Sequence, residues 1–190
     1  MRVLVINGFP ATDDNDRYLT DVACRALETN GHQVDRLDLA AEGFVMAMSP
    51  EERAAYHEDR PLITVETKRS AQLVKQADAM LFCYPTITHT VPALLKGWCE
   101  RVLVPGVAFV FDDRNKVAPG MTNIRRIGVV TVTPHRRLAR WRHRDLGYRT
   151  IMRTLRLSCH PRCRRTMTRL ERGLPEPKAT AAVTRTIGRW

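Results

Sequence analysis

Apolar positions fall along this chain in two alternating rhythms. Short continuous runs, Val3-Leu4-Val5-Ile6, Ala79-Met80-Leu81-Phe82-Cys83-Tyr84 and Ile127-Gly128-Val129-Val130-Thr131-Val132, are rich in β-branched and aromatic residues and bounded by turn formers. Runs of this length without polar alternation predict strands covered on both faces, as in a parallel sheet. Between them apolar residues recur three and four positions apart: Tyr18, Leu19, Val22, Ala23, Ala26 and Leu27 within residues 16–30, closed by Asn30-Gly31 as a stop signal. The same spacing recurs with Val65, Ala71, Leu73, Val74 and Ala77 in 64–77, and with Leu94, Leu95, Trp98 and Val102 in 92–102, where Pro92 occupies the first turn.

The remaining segments are weaker copies of the same units. Residues 33–39 carry Val34, Leu37 and Leu39 among charges and predict a second strand. Residues 40–61 predict an excursion with one short helix, started by Ser49 as cap and Pro50 in the first turn. A short apolar segment at 107–111, a turn-rich stretch at 114–123, a helix at 148–157, a last strand at 163–170 and a short helix at 179–187 complete the pattern. Strands alternate with helices and no repeat is visible, which predicts a three-layer α/β domain over 1–173 with a mostly parallel, five-stranded sheet, followed by a tail or short helix over 174–190.

Composition adjusts this picture in three places. A hydrophobic content of 44% over 190 residues suffices for a single core. The opening apolar run ends at Asn7-Gly8, too short for a signal peptide or a membrane span, so a cytoplasmic protein is expected. The five cysteines, Cys24, Cys83, Cys99, Cys159 and Cys163, are odd in number and mostly sit in apolar segments, a pattern of reduced, buried thiols. Cys159-His160-Pro161-Arg162-Cys163 fits no usual zinc spacing, and no metal is expected.

Charge is unevenly placed. Up to Asn123 there are 13 Lys and Arg against 17 Asp and Glu, and from Ile124 onward 18 against 3, so the net +11 belongs to the last third. Such a face attracts anions in general: nucleic acid, a membrane surface or a phosphorylated ligand. A nucleic-acid role is not expected, because only Trp141 and Tyr148 stand beside those arginines as stacking groups. Peripheral membrane contact is left open, as is an arginine-rich composition without a role.

In an open parallel sheet, ligands bind beyond the carboxyl ends of the strands, where the winding reverses. The loops at 7–17, 85–91 and 131–137 are therefore the candidates. The first precedes a helix whose free N–H groups attract anions; Asn15 and Arg17 add to that attraction, while Asp13, Asp14 and Asp16 oppose it unless they face outward. It has neither the paired glycines of a Rossmann fingerprint nor the Gly-Lys of a P-loop.

The most specific stretch is Tyr84-Pro85, a loop ending at Pro92, then Ala93-Leu94-Leu95-Lys96-Gly97-Trp98-Cys99-Glu100-Arg101-Val102. With Gly8-Phe9-Pro10, Asn15 and Val107-Ala108-Phe109, it resembles the flavodoxin-like NAD(P)H:quinone oxidoreductases over most of residues 1–133. The resemblance implies a flavodoxin-like fold, a flavin (FMN, with FAD as the alternative), NAD(P)H as electron donor, a quinone or similar small acceptor, and a homodimer. It puts the flavin phosphate on Pro10, Thr12, Asn15 and Arg17. The ring would lie against Pro85, Thr86, Ile87 and Thr88, hydrogen-bonded by backbone groups of the last three, with Thr131, Val132, Thr133 and Pro134 along its other edge. His89 or His135 would steady charge on the reduced ring, Arg136, Arg137 and Arg140 would meet the phosphates of NADPH, and Trp141, Arg142 and His143 would cover the pocket. Trp98 reads as helix core or dimer contact.

This chain departs from the pattern in two loops. Thr86-Ile87-Thr88-His89-Thr90 carries no aromatic wall, and Thr131-Val132-Thr133-Pro134 stands where the relatives have Thr-Gly-Gly. A second class therefore stays open beside the enzyme: a non-catalytic, flavodoxin-like binding or regulatory subunit.

Overall fold

The computed structural model of the chain describes residues 1–11, 14–56, 63–111, 116–134 and 146–190, the side chains of Asp14 and Asn15 excepted. Five parallel strands form the central sheet: β1 (Arg2–Asn7), β2 (Gln33–Asp38), β3 (Ala79–Pro85), β6 (Arg126–Thr133) and β7 (Arg164–Glu171). Their spatial order is β2-β1-β3-β6-β7, and the strands are in parallel register, with Ile6 beside Leu37 and Phe82, and Val129 beside Phe82 and Met167. This is the doubly wound order in which the chain leaves β1 to one side for β2 and returns past it to β3, so the winding reverses between β1 and β3.

The continuous apolar runs are explained by burial on both faces. In β1, Leu4 and Ile6 enter one core with Met80, Phe82 and Tyr84 of β3, while Val3 and Val5 enter the other with Ala79, Leu81 and Cys83. Helices α3 (Val65–Gln76) and α4 (Ala93–Val102) cover the first face; α1 (Asp14–Thr29) and α6 (Glu176–Ile187) cover the second. Residues 174–190 thus carry a helix whose Ala179, Val183 and Ile187 lie in the core beside α1, so of the tail or short helix expected there it is the helix that forms, as part of the second layer.

Other local differences have local causes. Pro92 caps α4 in an extended conformation instead of entering its first turn. The short apolar segment and the turn-rich stretch after it pair as a two-stranded antiparallel ribbon, β4 (Phe109–Phe111) with β5 (Val117–Pro119). The helix expected at 148–157 starts earlier, as α5 (Leu146–Arg149), and widens into a π-helical stretch at Thr150–Leu155 that buries Ile151 and Met152.

The excursion after β2 is fixed to α4 by two devices. In α2 (Pro50–Ala55), the Ser49 hydroxyl accepts from the Glu52 N–H at 3.1 Å while the Glu52 carboxylate accepts from the Ser49 N–H at 2.7 Å, a reciprocal capping box. Glu52 also takes the Arg101 guanidinium at 2.9–3.1 Å, and Arg101 donates further to Glu66 and to the Val45 carbonyl. The second device is Gly97, where a Cβ would stand 2.4 Å from the Met46 carbonyl oxygen. The Lys-Gly-Trp stretch is therefore a packing motif: Gly97 admits the Met46 backbone, and the fully buried Trp98 donates its Nε1–H to Ser70 at 3.1 Å.

Candidate functional site

A crevice of about 710 Å³ opens at the carboxyl ends of the strands, on the reversal point between β1 and β3. Its wall comes from the carboxyl-end segments of four strands: Pro10 and, in the first turn of α1, Asp16 after β1; Pro85 at the end of β3 with Thr86 to Thr88; Pro134 after β6; and Arg172, Gly173 and Leu174 after β7. Its size suits a cofactor or drug-sized ligand.

The first loop is shaped from below by Asn7. Its side chain is fully buried; its Oδ1 accepts from the Phe9 N–H at 3.1 Å and the Thr20 hydroxyl at 3.2 Å, and its Nδ2 donates to Asp38 at 2.9 Å. Arg17 also donates to Asp38 through Nη2, whereas its Nη1 is buried with no hydrogen-bond partner among the described residues. One edge of the Arg17 guanidinium is thus anchored and the other is available at the base of this loop. Burial would push the Asp38 carboxyl up, but the Ala41 N–H, Asn7 and Arg17 together outweigh it and hold Asp38 below its ordinary value. A carboxylate held low contributes stability above its unfolded value and loses it as pH falls through the folded one. The stability difference between wild type and Asp38→Asn, followed by urea denaturation, is accordingly expected to be full at neutral pH and to shrink below about pH 4.

The second loop is a tight turn under backbone strain. Ile87 and Thr90 exchange N–H to carbonyl bonds at 3.0 and 2.9 Å, and the two residues between them, Thr88 and His89, have φ of 47° and 59°. Two successive left-handed residues make a type I′ turn, which ordinarily calls for Asn and Gly. A β-branched Thr there is a strained choice of the kind that concentrates at ligand sites, at a cost of about 1–3 kcal/mol.

The backbone groups expected to face a ring are only partly available. The Thr86 N–H donates to Val132 O at 2.7 Å and the Ile87 N–H to Thr90 O at 3.0 Å, which leaves the Thr88 N–H as the donor of the three without an acceptor among the described residues. The third loop also begins later than the sequence suggests. Thr131, Val132 and Thr133 are buried in β6, paired with Arg169, Leu170 and Glu171 of β7, and among the described residues of this loop only Pro134 reaches the crevice. The Thr131 hydroxyl lies 3.0 Å from that of Thr86, so the two satisfy each other beneath the floor.

Of the residues expected to bind a cofactor, Pro10, Pro85, Thr86, Ile87, Thr88 and Pro134 line one cavity and Arg17 stands at the foot of its first loop. His89 sits in the strained turn, its carbonyl accepting from the Leu146 N–H at 2.8 Å. Thr12, His135, the side chain of Asn15 and the basic segment from Arg136 to His143 lie outside the described residues. The reading from sequence missed the fourth wall, Arg172 to Leu174. Its signal was present: β7 is a parallel strand, and the loop after it emerges at the same end as the others. Asp16 does face the crevice, its carboxylate 3.7 Å from Arg172 Nε, so its charge is countered across the opening.

Comparison with known proteins agrees with this geometry. Residues 1–148 match the model of a protein family described by its flavodoxin-like fold. NAD(P)H dehydrogenase (quinone) 1 of Rattus norvegicus is 30% identical over 149 residues, covering 68% of this chain and 53% of the relative. The chain thus spans about half the length of the curated relatives it matches first. Among solved structures, NAD(P)H:quinone oxidoreductase from Methanothermobacter marburgensis superposes with a TM-score of 0.80 at 20% identity, covering 100% of this chain and 96% of that one. An FMN-dependent NADH-azoreductase from Bacillus anthracis, solved with FMN, gives 0.68 at 13% identity, covering 100% and 97%. A match over most of the chain, with the 2-1-3-6-7 strand order and the crevice at its reversal point, makes this protein a member of the flavodoxin-like family.

Proposed function

We propose that this chain is an NAD(P)H-dependent flavin oxidoreductase that uses FMN and passes reducing equivalents to a quinone or a similar small acceptor. The observation that carries the reading is the crevice at the β1/β3 reversal point, in a chain whose relatives are named for NAD(P)H, quinones and FMN. The residues present fit the group. The buried Arg17 Nη1, unpartnered among the described residues, offers a charged donor at the helix that follows the first loop, and the Thr88 N–H offers a neutral one at the second.

In this reading the phosphate is held by Pro10, Thr12, Asn15 and Arg17, and the ring by Pro85 to Thr88 with Pro134. Thr131 to Thr133 act from the strand beneath, by holding Thr86 in place. Once bound, the flavin supplies hydride acceptance from NAD(P)H and electron delivery to the acceptor. The chain supplies the rest. Pro10, Pro85, Ile87, Pro134 and Leu174 give the crevice apolar surface against a ring, and the Asp16–Arg172 pair leaves its mouth without a net charge from these two groups. His89 or His135 is the group to steady developing negative charge. A homodimer belongs to the same reading, with exposed Val110, Phe111 and Val117 of the β4–β5 ribbon as an apolar contact face. So does a cytoplasmic location, which fits five cysteines that are all buried free thiols. Among the described residues no helix is long and apolar enough to cross a membrane.

One observation favours the second reading, a non-catalytic binding subunit: the Thr86 and Ile87 N–H groups are already engaged within the protein. The visible spectrum of the purified chain, taken with FMN or FAD and then with anaerobic NADPH, separates the two. Flavin bands that bleach with NADPH and return on adding a benzoquinone are expected. A chain that takes up neither flavin leaves the binding subunit. Ile87→Asp, at a half-exposed crevice position, is expected to weaken FMN binding about tenfold, roughly 1.4 kcal/mol, with the fold unchanged by circular dichroism.

A further inference from the structure

The opposite end of the sheet carries a second concave site. At the amino ends of β6 and β7, a cleft of about 360 Å³ is lined by Arg125, Arg126, Arg162, Arg164, His160 and Met1. β6 is eight residues long, so at about 3.3 Å per residue this cleft lies roughly 25 Å from the flavin crevice. The two cannot share a small ligand.

Four arginines line this cleft. None of Arg125, Arg126, Arg162 and Arg164 shares an ion pair with a carboxylate among the described residues. Two acidic groups on neighbouring strand ends bond to Arg2. Asp78 accepts from the Arg2 N–H at 2.7 Å, and Asp35 takes the Arg2 guanidinium at 2.5 Å. Arg126 is held in place by its bond to the Arg189 carbonyl at 3.0 Å and by the Trp190 ring 5.4 Å away. Burial first, and then the charge of Arg164, pull the Arg126 guanidinium below its ordinary value, so these like charges act on each other. The arrangement is also built into the chain: the Arg164 N–H bonds to Arg125 O at 3.0 Å and the His160 N–H to Ile124 O at 3.1 Å, which fastens the turn before β7 against the start of β6.

We propose that this cleft binds a compact polyphosphate group, as in inorganic pyrophosphate or the phosphate tail of a nucleotide. Planar guanidinium forks match phosphate oxygens in pairs, and a concave arrangement of four can meet several oxygens of adjacent phosphates at once. A single-stranded nucleic acid is a poorer match, because it would need aromatic faces for its bases. The aromatic ring at hand, Trp190, is already packed on Arg126 and on Gly128, where a Cβ would come within 2.3 Å of it. A membrane is a poorer match for a recessed site, since lipid headgroups are met by flat or convex surfaces with apolar residues inserted.

Isothermal calorimetry of the full chain with inorganic pyrophosphate, triphosphate and orthophosphate tests this. Pyrophosphate and triphosphate are expected to bind one to one, and more tightly than orthophosphate. The exposed pair Arg125→Gln/Arg164→Gln should weaken pyrophosphate at least tenfold. The pair Arg25→Gln/Arg185→Gln, which removes the same charge elsewhere, should change it less than twofold. Three results would overturn the proposal: no binding at millimolar pyrophosphate, equal weakening by both pairs, or arginine-dependent binding of single-stranded DNA or phosphatidylserine vesicles without binding of pyrophosphate. Neither pair touches the flavin crevice, so FMN uptake reports on the oxidoreductase reading separately.

Discussion

Replacing Arg101 by methionine is expected to cost about 3–5 kcal/mol of folding stability. The side chains of Arg101 and Glu52 are each only 4% exposed, so removal of the cation leaves a buried carboxylate with no counter-charge. Glu66 is the lesser partner, because at 59% exposure water can take over its solvation. Arg101 also donates to the Val45 carbonyl at 2.6 Å and lies 5.3 Å over the Phe44 ring, so its loss loosens residues 44–56 along with the ion pair. The double variant Glu52→Gln/Arg101→Met removes both charges and should recover a good part of the loss, since a neutral pair of similar volume leaves no buried ion. Chemical denaturation of the three proteins measures both quantities. A single variant within 1 kcal/mol of wild type would mean that water reaches Glu52, and that the excursion after β2 is held by something other than this pair.

How far each part was legible depended on the range of the interaction behind it. β1, β3 and β6 are buried on both faces, so each had to be written as an apolar run and could be read as one. The start of α2 was legible because its cap, Ser49, and its first-turn Pro50 are adjacent; the bond of Glu52 to Arg101 spans 49 positions and leaves no local pattern. The first two crevice loops could be placed because each follows a strong strand. The wall from Arg172 to Leu174 was missed although the strand before it was expected, because β7 is a weak strand by composition, with Arg164 and Arg165 exposed at its start and few apolar residues, and the residues after it looked like a tail. The state of individual backbone donors was the least legible feature. Nothing in Thr86-Ile87-Thr88 says that the first two N–H groups are engaged by Val132 and Thr90, since that follows from the strand beside them and the closure of a two-residue turn.

The same distinction between local and distant causes makes Gly97→Ala an informative test, because the two predict opposite signs. Within a helix, Ala is favoured over Gly by about 1 kcal/mol, and from the sequence of α4 alone the change would be stabilising. In the folded chain an added Cβ meets Met46 O at 2.4 Å, Met46 Cα at 2.8 Å and Met46 C at 2.9 Å. All three are backbone atoms, so no rotamer change relieves the contact; either α4 moves off the sheet or the 44–48 segment moves off α4. Movement of α4 would disturb Trp98, which is fully buried, donates to Ser70 and meets Phe82 edge-on at 6.2 Å. Overpacking of this kind costs about 1–3 kcal/mol, which exceeds the propensity gain, so net destabilisation is expected. Thermal and urea unfolding give the sign directly. A destabilised variant that still binds FMN with wild-type affinity would assign Lys96-Gly97-Trp98 to packing alone. A stabilised variant would mean that the Met46 backbone does not rest on α4, and would remove the packing account of the motif by which the family is most easily seen in this sequence.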